Sequence, residues 1–243
     1  MKKIHYTHPP ITEVILQFVL SVPVDRKKME KAAKQLALKY DDYRHGFEEK
    51  FEVDVSKSEI KKSEKRPFDE FRSNDLSQQL LIKEKSFTLI QLAPYCGWDH
   101  LITRFRRDWG IWSEVVGFQQ VERVGLRYVN RVDVPLEGDI YLNEQYVSVC
   151  PNVPESLGLA NRHAINMSFP LKDLESVLIL NTSVVDSPIV KHIAIMLDLD
   201  IVKQFKEPIA HEKVFEFVEK ARHKKNEVFE SCITDKAREL FSP

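Results

Sequence analysis

Glycine is scarce in this chain, with seven in 243 residues. Loops that cradle phosphate are built from glycine, and neither G-x-G-x-x-G nor G-x-x-x-x-G-K-[ST] occurs, which removes the common nucleotide-binding folds. The G-x-S-x-G elbow of serine hydrolases and the H-E-x-x-H helix of zinc proteases are also missing. Cysteine is scarcer still. Cys96, Cys150 and Cys232 are scattered and odd in number, with no C-x-x-C pair, so they read as free thiols of a reducing, cytoplasmic interior. Cys150, in an expected strand, and Cys232, on an apolar stripe, read as small core residues; Cys96, ahead of a helix N-terminus, is the one thiol in a thiolate-stabilising setting.

Charge of one sign is lacking as well: Lys+Arg total 36 against 37 for Asp+Glu, a net charge of −1. That balance speaks against a dedicated duplex-DNA binder and leaves room for a local basic patch. No apolar run approaches the ~20 residues of a membrane span. The N-terminal MKKIHYTHPP has neither an apolar core nor a small-residue cleavage site, so no signal peptide is expected. No cofactor and no metal is expected either. His192, Asp198 and Asp200 alternate along one strand, and His223 stands one helical turn from Glu227, but both sets read as solvent-facing surfaces.

What is present is hydrophobic periodicity. PPITEVILQFVLSV alternates, with Val14, Leu16, Phe18 and Leu20 on one side, and predicts a strand with one buried face. Asp25 then stands as an N-cap before Met29, Ala32, Ala33 and Leu36 at helical spacing, a helix that breaks at Tyr43 to Gly46. KFEVDVS predicts a short strand, KSEIKKSEKRPFDE a solvated loop or hairpin tip, and LSQQLLIKEKSFTLIQLAPY a hairpin turning near Lys83 to Ser86. In GWDHLITRFRRDWGIWSEVVGF, Trp98, Leu101, Ile102, Phe105, Trp109, Trp112 and Val116 form a stripe read as free of interleaved polar groups. It carries all three tryptophans and predicts a helix packed on a sheet. Four more strands are expected in DIYLNEQYVSVCP, NRHAINMSFPL, ESVLILNTSVV and VKHIAIMLDLDIV, then a helix from about Glu212 to Ser231 and a last short helix capped by Thr234. Runs of strands closed by helices, without strand–helix alternation, predict an α+β fold of mainly antiparallel sheet gripped by long amphipathic helices. Two halves, 1–117 and 118–243, repeat a similar element order and are expected to pack closely.

The chemistry-bearing stretch is VERVGLRYVNRVDV. On a strand, Arg123, Gly125, Arg127, Val129, Arg131 and Asp133 share one face, and Asn130 interrupts the apolar face opposite. The arginines recur every ~13 Å, which would suit a row of nucleic-acid phosphates, with Gly125 permitting close approach. The competing reading is structural: neighbours such as Glu122, or Asp198 and Asp200 of LDLD on an adjacent strand, neutralise the row. The candidate ligand-binding residues are Glu13, Arg123, Arg127, Asn130, Arg131, Asp198 and Asp200.

HPPITEVILQF, VERVGLRYVNRV and HKKNEVFESCITDKARELF, in this order and spacing, resemble a functionally uncharacterised family of similar length, distributed sporadically among bacteria and archaea. The matching positions are Pro10, Glu13, Arg123, Gly125, Arg127, Asn130, Phe229, Thr234 and Asp235. The resemblance implies mobile or defence-associated loci and assigns no catalytic residue. The expected function is therefore a non-enzymatic partner- or ligand-binding, regulatory protein. The alternative is an enzyme or binder of nucleotide or nucleic acid using the arginine strand. Homodimerisation is an expectation under either reading, because sheet edges need covering.

Overall fold

The structure, a computed structural model, describes residues 6–54, 59–136, 143–158, 160 and 162–242. It begins with β1 (Ile11–Leu20), α1 (Arg26–Ala37) and four strands, β2 (Asp42–Asp54), β3 (Glu59–Arg72), β4 (Gln78–Lys83) and β5 (Ser86–Leu92). After α2 (Trp98–Val116) come β6 (Val121–Pro135), β7 (Ala164–Leu171), β8 (Ser176–Asp186) and β9 (His192–Gln204), then α3 (His211–Cys232) and α4 (Asp235–Phe241). The strands form a single sheet in the order β2-β3-β4-β5-β1-β6-β9-β8-β7, and every neighbouring pair is antiparallel. The fold is thus α+β with a mainly antiparallel sheet.

The order has a local logic. Each meander folds back so that its last strand lies beside an earlier one: β5 returns to β1, and β9 returns to β6. The two central strands then pair with each other, Leu16 opposite Leu126 and Phe18 opposite Val124. Because alternate side chains point to opposite faces, that register stacks Val14, Leu16, Phe18 and Leu20 with Val124, Leu126 and Tyr128 on one side. The helices cover that side. Phe18 meets Phe105 and Trp109 of α2 and Phe215 of α3 with ring centroids 4.7, 5.1 and 5.6 Å away. One contiguous core runs through residues of both meanders and of all four helices.

Helix boundaries follow their caps. Asp25 accepts a hydrogen bond from the Lys28 amide at the start of α1, and Thr234 accepts one from the Ala237 amide at the start of α4. The expected stripe of α2 is buried, with Trp98, Trp109 and Trp112 each under a tenth exposed. It is not free of polar groups, however: Arg104 and Asp108 are buried within it.

Three expectations require correction. Within KSEIKKSEKRPFDE, whose first two residues lie outside the described ones, Glu59 to Glu70 is neither loop nor tip; it is most of β3, zipped to a β2 that already begins at Asp42, so Tyr43 to Gly46 is strand. Ladder hydrogen bonds come from the backbone, so charged residues serve there, and Lys65 pairs with Glu49 across the hairpin at 3.0 Å. DIYLNEQYVSVCP does not form a strand where it is described. Asn143–Gln145 is a 3₁₀ turn, and Val147 makes an isolated bridge to Ile233. Tyr146 and Val147 are buried there, while Ser148 N–H donates to the carbonyl of Cys232 and Thr234 N–H to that of Tyr146. Their alternation serves the α3–α4 junction and not the sheet. Cys150 accordingly lies in a half-buried loop.

Candidate functional site

No helix packs on the opposite face of the sheet among the described residues, and the arginine row lies there. Arg127 on β6 is the centre. Its Nε and Nη2 donate to Oδ1 and Oδ2 of Asp198 on β9, 2.8 Å each, a planar fork on a carboxylate. Asn181 of β8 donates to Asp198 Oδ2 at 3.0 Å, and Asn166 of β7 donates to the Asn181 carbonyl oxygen. A polar ribbon therefore crosses four strands. The hydrogen bonds it donates to Asp198 raise the Arg127 pKa, and its side chain remains 44% exposed against 11% for Asp198.

Asp200 lies directly across the ladder from Arg127, yet the two form no ion pair among the described residues, because the guanidinium is turned toward Asp198. Asp200 Oδ1 is enclosed with no hydrogen-bond partner among the described residues. Desolvation, with Asp198 adding repulsion, raises its pKa, while Arg127 and Arg123 pull the other way. Gly125, itself buried, lies beside it: a Cβ there would come to 3.6 Å from Asp200 Oδ1, ordinary contact.

The other two arginines are held locally, Arg123 by a neutral amide and Arg131 by a carboxylate. Arg123 donates to the side-chain carbonyl of Gln17 on β1, which in turn donates to Thr88 Oγ1 on β5 at 3.0 Å. Arg131 donates to Asp133 Oδ2 at 3.0 Å, and Ser187 secures the other oxygen of that carboxylate. Glu13 stands level with Val129 and Asp198 and has no ion pair among the described residues. Asn130 is not brought to this face. It points toward the helices, 1% exposed, and donates to the backbone carbonyl of Leu197 at 3.0 Å.

Around the charges lie half-buried apolar side chains: Ile15 on β1, Ile90 on β5, Val129 on β6, Met196 on β9 and Ile179 on β8. The mosaic is polar along its axis and apolar on both flanks.

Three buried charged groups on the helices escaped the sequence reading. Asp108 is fully buried and accepts hydrogen bonds from Tyr40 Oη at 2.5 Å and Arg107 Nε at 2.8 Å, while Arg104 donates Nη2 to the carbonyl of Ile90. Burial raises the Asp108 pKa and lowers that of Arg104. Asp108 falls three residues after Phe105 and four before Trp112, a place in the apolar stripe that was itself the signal. Lys225 likewise continues the α3 stripe four residues after Ala221. It is 5% exposed, with Nζ 3.7 Å from the ring centroid of Tyr128. Desolvation, reinforced by Arg222, lowers its pKa to about 7.

Comparison with known proteins brings nothing to set beside this geometry: no family model matches the chain, and no curated protein matches it. Among the described residues no group of three or more His, Cys, Asp or Glu side chains is placed to hold a metal ion, and no helix is long and apolar enough to cross a membrane.

Proposed function

We propose that this chain is a non-enzymatic binding protein whose working surface is the helix-free face of its sheet, and that the occupant of that surface is protein. The observation that carries this reading is Arg127, immobilised by a bidentate carboxylate, with half-buried Ile15, Ile90 and Ile179 on its own level of the face, Val129 on the next, and Met196 further along β9. A pre-organised arginine amid apolar side chains is the composition of an interface hot spot, since little side-chain entropy is left to lose on binding. The nucleic-acid alternative is weaker. A phosphate row needs unspent positive charge, and Arg127 and Arg131 already hold carboxylates. The three free thiols suit a reducing cytoplasm.

The test is affinity capture from the native host with wild-type and Met196→Glu baits, the second placing a charge on the apolar flank. Loss of a stoichiometric protein from the variant, with its circular dichroism unchanged, is the expected result. Identical captures by both baits would overturn the reading.

A further inference from the structure

The open face also constrains what covers it. Strands stand ~4.8 Å apart and rise ~3.3 Å per residue, so nine strands with an overlap of six or seven residues present roughly 800 Å² per copy. Two such faces together bury about 1,600 Å², the size of a standard stable protein–protein interface.

The register gives the face a self-complementary pattern. Four successive levels cross β1, β6 and β9: Val19/Arg123/Gln204, Gln17/Gly125/Val202, Ile15/Arg127/Asp200 and Glu13/Val129/Asp198. A two-fold axis lying between the facing sheets, perpendicular to β6 and midway between the Gly125 and Arg127 levels, exchanges the second level with the third and the first with the fourth. The β6 backbone at each Arg127 then stands over the partner's Gly125, where no side chain rises. Each Arg123, whose only described side-chain partner is the neutral Gln17, comes above the level that carries the partner's Glu13, which has no ion pair among the described residues. Cation meets anion twice over, as an isologous interface requires.

We infer that the open sheet face is occupied by a second copy of this chain, packed sheet on sheet about that axis. The inference rests on the reading of this face as a protein-docking surface and names the protein. Sheets packed this way lie ~10 Å apart with interdigitating side chains, which makes the size of residue 125 a determinant of assembly. Gly125 is buried in the isolated chain, its backbone is not in the left-handed region, and an added Cβ meets only ordinary contact. Gly125→Leu adds bulk to the face, and the charge pair Glu13/Arg123 separates assembly from folding.

The experiment is native mass spectrometry and light scattering of the full chain at micromolar concentration. Wild type is expected as a dimer. Gly125→Leu, Glu13→Arg and Arg123→Glu should each weaken it at least about tenfold, while each variant keeps a cooperative thermal transition at concentrations too low for dimers. The double variant Glu13→Arg/Arg123→Glu should regain the dimer, which no merely destabilising substitution would do. A dimer that survives Gly125→Leu uses another surface and overturns the inference. A monomeric wild type overturns it too, and the capture experiment then separates the two ideas. A different protein lost from the Gly125→Leu bait leaves the docking face standing with another occupant; captures that match wild type remove both.

Discussion

Arg127 holds Asp198 through two parallel hydrogen bonds of 2.8 Å while leaving Asp200, its direct neighbour across the ladder, without an ion pair. The arrangement predicts unequal costs. Arg127→Ala strands a nearly buried carboxylate and should lower stability by about 2 kcal/mol in urea unfolding. Arg127→Lys keeps the charge but cannot reproduce the fork, and should cost about half as much.

Asp200 should behave in the opposite sense. Its pKa is raised in the folded chain, so the native state holds its proton more tightly than the unfolded state does. The stability linked to that proton is present below the ordinary carboxylate range and lost as pH rises through the raised value. Asp200→Asn is expected to be more stable than wild type at pH 7, the difference shrinking on acidification. Paired unfolding curves from pH 3 to 7 check it.

Lys225 gives a second pH signature. With its folded pKa near 7 and its unfolded value in the usual lysine range, the native state binds fewer protons between them. Stability linked to Lys225 should therefore rise with pH from about 7 upward. Arg222 and Glu230 are the charges that act on it. Lys225→Met removes a buried cation at the expense of its contact with Tyr128. The variant should gain about 1–2 kcal/mol at pH 6 and lose the upward slope, as read by denaturant titration across that range.

At the α1–α2 contact, Asp108 answers Tyr40 and Arg107 from a fully buried position. Asp108→Ala leaves those donors and the Arg104 charge uncompensated and should cost about 3 kcal/mol or more, whereas Tyr40→Phe should cost about 1 kcal/mol. A shift in urea midpoint at constant slope is the expected readout.

The thiols should sort by burial. Cys96 is exposed, Cys150 half-buried and Cys232 buried, and burial raises the pKa of the last two. One thiol per chain should react rapidly with an aromatic disulfide reagent in the native protein and all three after unfolding; Cys96→Ser should abolish the fast phase.

How far the sequence was legible depends on where each segment's partner lies. In β1, α2 and α3 the burial period is visible in the residues, because each of these elements faces one large core. β3 was hidden: its alternation is between charges, and it sits beside the sheet-edge strand β2, where backbone pairing asks little of side chains. The stretch around Tyr146 misled in the opposite direction, since its apolar pair packs on the ends of α3 and α4. The candidate face was half visible. The alternation put Arg123, Arg127 and Arg131 together and Asn130 opposite them. That Asp198 is the residue which meets Arg127 required β9 to lie beside β6, a pairing across the whole second meander. Lys225 and Asp108 lay within their stripes but were read past, because charged side chains in core positions run against the usual assignment.

The placement of β1 against β6 governs assembly in time as well as in space. Residues such as Leu16 and Leu126 meet across more than a hundred positions of chain, whereas β4 meets β5 and β8 meets β9 over short turns. Long closures carry the larger entropic penalty, so local hairpins form early and the long-range pairing late. The seam that lines up Arg123, Arg127 and Glu13 is therefore completed last, and a chain caught midway carries two finished wings and no centre.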